Sequence, residues 1–282
     1  MKKITWDNLQ KQSDEILSDG IYKLTNQIYL DSTKVTDKGF GNYLISLDKI
    51  PYYIGEGKDL AKRLKQQFKP ATSTFHKNFL KLPNSKNTEI DKFEIQYIST
   101  SIGRKEIEEF GIVNLQTQLN KFQLDKRQNF KVADQNGLWD EVQANFAEYL
   151  KEAENKIIES NFTNWFDTKI ISTAGLYLVK DKTDKLIYIG ESSDVSKRIK
   201  AHSERTYFSA LRRHIGTEVL NFELQERNGK KRYFSETQNK EVTDFLKTCK
   251  STIFPVAFGR YELEELLIKT HRPLLNRKDN KD

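Results

Sequence analysis

The sequence predicts a chain of the α/β class (α+β) made of two similar domains, each a small, mainly antiparallel β-sheet flanked by α-helices. Two observations carry this expectation. The chain repeats itself once, with every matching segment in the same order, and each copy reads as a short β-rich pair of runs followed by helical patterns.

The repeat opens with Thr5-Trp6-Asp7-Asn8-Leu9-Gln10 against Leu138-Trp139-Asp140-Glu141-Val142-Gln143, both at the start of amphipathic helical patterns, the second reaching about Ser160. Gly41-Asn42-Tyr43 then matches Gly175-Leu176-Tyr177, Tyr53-Ile54-Gly55 matches Tyr188-Ile189-Gly190, and Arg63 matches Arg198. The spacing between copies stays nearly constant up to this point. It widens once before the last block, where Gly103-Arg104-Lys105-Glu106-Ile107-Glu108-Glu109 pairs with Gly259-Arg260-Tyr261-Glu262-Leu263-Glu264-Glu265 and Asn120 with Asn276. A single jump implies one insertion in the second copy, between about Thr217 and Phe254. Units of this size can each bury a core, so two domains are expected, residues 1–130 and 131–282.

In copy two, Gly175 to Val179 and Leu186 to Ile189 flank Asp181-Lys182-Thr183-Asp184 and read as an antiparallel hairpin, which sets Tyr177 and Tyr188 on neighbouring strands. Glu191-Ser192-Ser193-Asp194 offers helix N-caps, and Val195, Ile199 and His202 follow at helical spacing, so that Arg198 and His202 share a face. A strand is expected at Val219 to Leu224 and a strong helix from Tyr261 to Thr270, ending before Pro273. Copy one repeats the scheme, with Asn42 to Leu47 and Tyr52 to Gly55 as the hairpin, Leu60 to Phe68 as the first helix and Glu106 to Leu115 as the last. The Trp6 and Trp139 helices carry no evident chemistry and are expected to pack.

Composition narrows the class. Hydrophobic residues make up 37% of the 282 and charged residues 31%, which suits a soluble protein with compact cores. No window approaches the apolar run of a membrane helix and the start lacks the apolar stretch of a signal peptide, so a cytoplasmic location is expected. The lone Cys249 leaves neither an intrachain disulfide nor a zinc module. A net charge of +7 permits a polyanionic partner without requiring one.

The ordered elements resemble the GIY-YIG nuclease superfamily: a Gly-x-Tyr strand, a Tyr-Ile-Gly strand, an Arg on the next helix, a helical Glu, and an Asn beyond that helix. Copy two has every element, and Glu264 to Asn276 looks especially close to the family's metal helix. Copy one departs at Asn42, at Leu115-Gln116-Thr117 where copy two has His271-Arg272-Pro273, and at Gln67 where copy two has His202. Only Gln67 bears directly on chemistry, and it marks copy one as the less active.

The resemblance implies a phosphodiester hydrolase dependent on Mg²⁺ or Mn²⁺, with Glu264 and Glu108 as metal ligands; one carboxylate with waters and a substrate phosphate suits Mg²⁺. It implies Arg198 and Arg63 as grips on the phosphate, Tyr177 and Tyr188 (Tyr43 and Tyr53 in copy one) around the attacking water, and His202 assisting. By the family's example Tyr177 is the base or water-positioner of the pair, its ionisation eased by the nearby Arg and metal. Asn276 and Asn120 would fix the loop after the metal helix or orient a phosphate. Two basic clusters, Arg205, Arg212, Arg213 and His214, then Lys230, Lys231 and Arg232, are candidates for the DNA backbone. The expected partner is nucleic acid, foremost double-stranded DNA, cut by a monomer or dimer. The leading expectation is a restriction-type endonuclease whose two copies form a pseudo-dimer. A nicking or single-strand nuclease with one active copy, and a non-catalytic nucleic-acid-binding protein, stay open beside it.

Overall fold

The structure is a computed structural model, and it describes residues 4–31, 34–69, 73–82, 85, 92–120, 128–169 and 171–276. The chain divides into two compact units, Met1–Tyr149 and Leu150–Asp282. Unit 1 runs through α1 (Trp6–Lys11), α2 (Ser13–Thr25), β1 (Leu30–Asp31), β2 (Gly41–Leu47), β3 (Ile50–Gly57), α3 (Leu60–Gln67), α4 (Thr74–Phe79), β4 (Glu94–Ser99), α5 (Arg104–Asn114) and α6 (Leu138–Ala144). The division falls inside α7 (Phe146–Ile158). Unit 2 continues with β5 (Thr163–Asn164), β6 (Gly175–Lys180), β7 (Leu186–Ser192), α8 (Val195–Glu204), α9 (Ala210–His214), β8 (Gln225–Arg227), β9 (Lys230–Tyr233), α10 (Glu236–Lys247), β10 (Lys250–Pro255) and α11 (Arg260–His271).

Each unit holds a four-stranded antiparallel sheet flanked by helices, the fold class expected from the sequence. The strand orders are β1-β4-β2-β3 and β5-β10-β6-β7. The registers correspond as well: Tyr43 lies opposite Gly55, and Tyr177 opposite Gly190. The turn expected between β6 and β7 forms because the Asp181 carboxylate accepts from the Thr183 and Lys185 backbone N–H groups, at 2.8 and 3.1 Å, while Asp184 takes a left-handed φ of 61°. Asp59 and Asp194 cap α3 and α8 by accepting from Lys62 N and Lys197 N.

Three sequence expectations are revised. The helix expected from Trp139 to about Ser160 breaks at Asn145, as its counterpart in unit 1 breaks at Gln12. The unit boundary lies beyond residue 130, because α6 packs on α2: the Asp19 carboxylate accepts from Gln135 N and Trp139 N, both at 2.8 Å, and Gly20 leaves room for the buried Trp139 ring. The strand expected at Val219 to Leu224 is absent. Residues Ile215–Val219 form a wide helical turn closed by Leu220 N to Ile215 O, and Val219, Leu220, Phe222 and Leu224 spend their apolar side chains packing on the unit 2 core. Alternating hydrophobicity here reflects packing of an irregular segment, not sheet pairing. The inserted stretch itself folds as the β8–β9 hairpin and α10. Among the described residues, no helix is long and apolar enough to cross a membrane.

The outer edges of β3 and β7 are closed in the same way. Asn276 Oδ1 accepts from Ile189 N at 2.9 Å and its Nδ2 donates to Ile189 O at 2.7 Å, while Leu275 N reaches Ile187 O at 2.9 Å. Asn120 does this for Ile54 at 2.9 and 2.8 Å. A side-chain amide presents the same donor and acceptor pair as a peptide, so each Asn acts as one residue of an extra strand. Asn276→Ala strands two buried backbone groups at about 1–3 kcal/mol each, so urea denaturation should show a loss of about 2 kcal/mol or more, and a loss below about 0.5 kcal/mol would contradict the clasp.

Candidate active site

Tyr177 projects from β6 into the unit 2 core with its ring 1% exposed, beside Tyr188 of β7 at 6.0 Å between ring centres. Gly190 lies opposite it because a Cβ there would overlap the Tyr177 hydroxyl; Gly55 does the same for Tyr43. The glycine of Tyr-Ile-Gly is thus needed for space. A buried hydroxyl needs partners, and α8 supplies them. His202 Nε2 lies 2.7 Å from Tyr177 Oη, and Arg198 Nε, one turn earlier, donates to the same oxygen at 3.4 Å. His202 Nδ1 in turn meets Ser209 Oγ at 2.6 Å, and Ser209 is fixed by accepting from Arg212 N as the N-cap of α9.

Electrostatics set the protonation states. Burial pushes the Tyr177 phenol well above its ordinary value, Tyr188 adds to the rise and Arg198 opposes it. Arg198 eases ionisation in the expected direction, but burial outweighs the guanidinium and the net shift is upward, so Tyr177 is a neutral phenol. Burial also holds the His202 imidazole well below its usual range, helped by Arg198, Arg212 and Arg213. A neutral imidazole donates from one ring nitrogen and accepts at the other. Giving Nδ1–H to Ser209 would leave Nε2 to accept the Tyr177 proton.

Glu264 stands half-buried on α11, its Oε1 accepting from Glu191 N at 3.0 Å. The Glu191 carboxylate binds the buried Arg260 Nε at 2.9 Å, which ties the residue after Tyr-Ile-Gly to the start of α11. Among the described residues, no group of three or more His, Cys, Asp or Glu is placed to hold a metal ion. The donor set is a single carboxylate, which fits Mg²⁺ or Mn²⁺ retaining much of its water.

Unit 1 builds the same frame with different chemistry. Tyr43 and Tyr53 lie 6.2 Å apart, and Gln67 Nε2 donates to Tyr43 Oη at 2.8 Å. Ser73, the N-cap of α4, donates to Gln67 Oε1 at 3.1 Å, in the place Ser209 has beside His202. The geometry is kept, but an amide does not take up a proton near neutral pH. Burial raises the Glu108 carboxyl to about 7 against the opposing charge of Lys105, which lies 3.6 Å away and also binds Glu56 at 3.2 Å. Arg63 is solvent-exposed on α3, and burial and the two tyrosines act on it in opposite directions with a net upward shift.

The residues expected at the site thus divide. Tyr177, Tyr188, Arg198, His202 and Glu264 gather in unit 2, with Tyr43, Tyr53, Arg63 and Glu108 in corresponding places in unit 1. Asn276 and Asn120 bind the backbone of β7 and β3. Arg212 is not a backbone-tracking cation: it is 2% exposed and donates to Thr206, His202, Ser203, Asn239 and Thr243. Arg213 is half-buried on the Thr206 and Tyr207 carbonyls, and His214 Nδ1 meets Leu275 O at 2.6 Å. Arg205, Lys230, Lys231 and Arg232 are exposed. Sequence reasoning missed Ser209, Ser73 and Glu191. The helix N-cap pattern after each first helix was the signal for the serines.

A neutral His202 has a signed effect on stability. Its native pKa lies below the unfolded value of about 6.5, so below that pH the unfolded chain takes up a proton that the native state refuses, and stability falls with pH. Between pH 7.5 and 5.5, wild type should lose about 1.3 kcal/mol more than His202→Gln in urea titrations. Equal losses would place a charged imidazole in the native core.

Residues 164–282 match the family of the GIY-YIG catalytic domain. No curated protein and no solved structure matches the chain. The match covers the whole of the Tyr177, Arg198, His202 and Glu264 constellation, so the second half of the chain is similar to a GIY-YIG catalytic domain.

Proposed function

We propose that the chain is a metal-dependent DNA endonuclease, a restriction-type enzyme that cuts duplex DNA with one site in each unit and so does within one chain what paired identical subunits do by symmetry. The observation that carries this reading is the Tyr177 hydroxyl, set between the Arg198 guanidinium and the His202–Ser209 pair at 3.4 and 2.7 Å. Arg198 holds the scissile phosphate through its planar guanidinium. The attacking water gives its proton to Tyr177 Oη as the phenol's own proton moves to His202 Nε2. A P–O ester bond then breaks and the leaving alkoxide is protonated from solvent. A neutral phenol suits this role, because it passes a proton on without first having to ionise. The bound phosphate offsets the charge of Arg198 and thereby lowers the penalty on the imidazolium that forms. Mg²⁺ or Mn²⁺, held by Glu264 and in unit 1 by Glu108, would neutralise the phosphate and stabilise the leaving oxygen.

Gln67 favours a second reading for unit 1, that of a slow or silent site. The Gln67 amide takes up no proton from Tyr43, and the chain then nicks duplex DNA through unit 2.

Supercoiled plasmid with Mg²⁺ separates these readings. Wild type should give linear DNA, EDTA should stop all cleavage, and Glu264→Ala should lower the unit 2 cut at least a hundredfold, on the order of losing one transition-state contact, leaving nicked circles. Glu108→Ala should also nick, and faster. Complete loss in Glu264→Ala, or unchanged linear product, would count against one site per unit. Failure of wild type to cut several unmodified and modified DNAs would favour a non-catalytic nucleic-acid-binding protein.

A further inference from the structure

Beside the unit 2 site lies a surface group of rings and cations that the hydrolytic steps leave unused. The short helical turn Thr206–Phe208 and the inserted hairpin bring Tyr207 and Tyr233 together at 5.3 Å, and Phe208 meets Tyr207 edge-on at 4.7 Å. Phe208 is 57% exposed, a large apolar ring left in water. Lys230 Nζ donates to Tyr207 Oη at 2.9 Å, and the Arg232 and Arg227 guanidinium groups lie over the rings of Tyr207 and Tyr233 at 5.7 and 5.1 Å. The hairpin sets Arg227, Lys230, Lys231 and Arg232 against Glu226 as its one acidic residue.

This group is joined to the catalytic one. Arg198, whose Nε reaches Tyr177, also donates from Nη1 to Phe208 O at 3.2 Å, and Arg213 donates to the Thr206 and Tyr207 carbonyls at 2.9 and 2.7 Å. The residue that would hold the phosphate therefore also fixes the backbone that presents the ring. Exposed aromatic faces interleaved with cations are suited to a strand whose bases are unstacked: rings take base faces and cations take the backbone. A fully stacked duplex offers no base face to such rings.

We infer that Phe208 and Tyr207 form a base-stacking platform that takes an unpaired or everted nucleobase of the strand held by Arg198, with the hairpin cations along its backbone. The inference rests on the nuclease reading of unit 2 only for the identity of the polymer at Arg198. It makes the preferred substrate of unit 2 a strand with an unstacked base next to the scissile phosphate, and it makes the two units unlike, because the hairpin belongs to the inserted segment.

The test uses the full chain carrying Glu264→Ala, so that the probe is not consumed, and a roughly 12-nucleotide single strand containing 2-aminopurine, whose fluorescence falls on stacking. Binding should quench the probe. Phe208→Ala should weaken binding about tenfold and abolish the quench, whereas Phe208→Trp should restore both. Lys231→Ala should weaken binding and lower the salt slope by about 0.7 while leaving the quench at saturation intact. Unchanged affinity and quench in Phe208→Ala would overturn the platform. Cleavage by wild type is scored separately. Cutting without quench overturns the platform alone, and quench without cutting of the strand or of any of the duplex DNAs tried upholds the platform while overturning the nuclease reading.

Discussion

A phenol hydroxyl buried against the backbone of the next strand must be hydrogen-bonded, and that need organises each unit. Tyr177 and Tyr43 sit at 1% and 0% exposure with a glycine opposite, where a side chain would occupy the place of the hydroxyl. The partner must then come from the helix packed over the sheet, which fixes the residue type available at one position of α8 and of α3. Leaving such a group unsatisfied costs about 1–3 kcal/mol, so the position is constrained for stability before chemistry is considered. Histidine and glutamine both meet the constraint. Only histidine also supplies a proton acceptor, and the difference in chemistry between the units follows from that one choice.

The second constraint is the sheet edge. β7 and β3 present outward backbone groups, and Asn276 and Asn120 satisfy them from beyond the last helix of each unit. This clasp closes an edge that would otherwise invite pairing with another chain. It also anchors the far end of α11, while Arg260 and Glu191 anchor its start, so Glu264 is carried by a helix held at both ends. The carboxylate, the guanidinium and the phenol thus rest on three separately braced elements, as a preorganised site requires.

Much of this was legible in the sequence. The order of Gly-x-Tyr, Tyr-Ile-Gly, Arg, Glu and Asn picked out side chains that the fold brings together, and Asp181 and Asp194 gave the turn and the cap because their chemistry is local. Long-range partners were not legible. Arg212 and Arg213 read alike as a basic pair, yet successive residues on a helix point in different directions, and Arg212 faces Asn239 and Thr243 of the inserted α10. The apolar run from Val219 to Leu224 looked like a strand because periodicity reports burial, not pairing. Glutamine at 67 was visible as a departure, whereas Ser73 behind it, completing the same relay of contacts as Ser209, emerged only from the fold.

The central claim is that the group behind the buried phenol decides whether a unit can move the proton of the attacking water. Single-turnover cleavage of an end-labelled duplex, followed strand by strand, tests it through Gln67→His. The exchange should raise the slower strand's rate about tenfold or more, in the range of added general acid–base assistance, and leave the faster strand's rate unchanged. An unchanged or slower rate on that strand, in a variant of unaltered stability, would contradict the account.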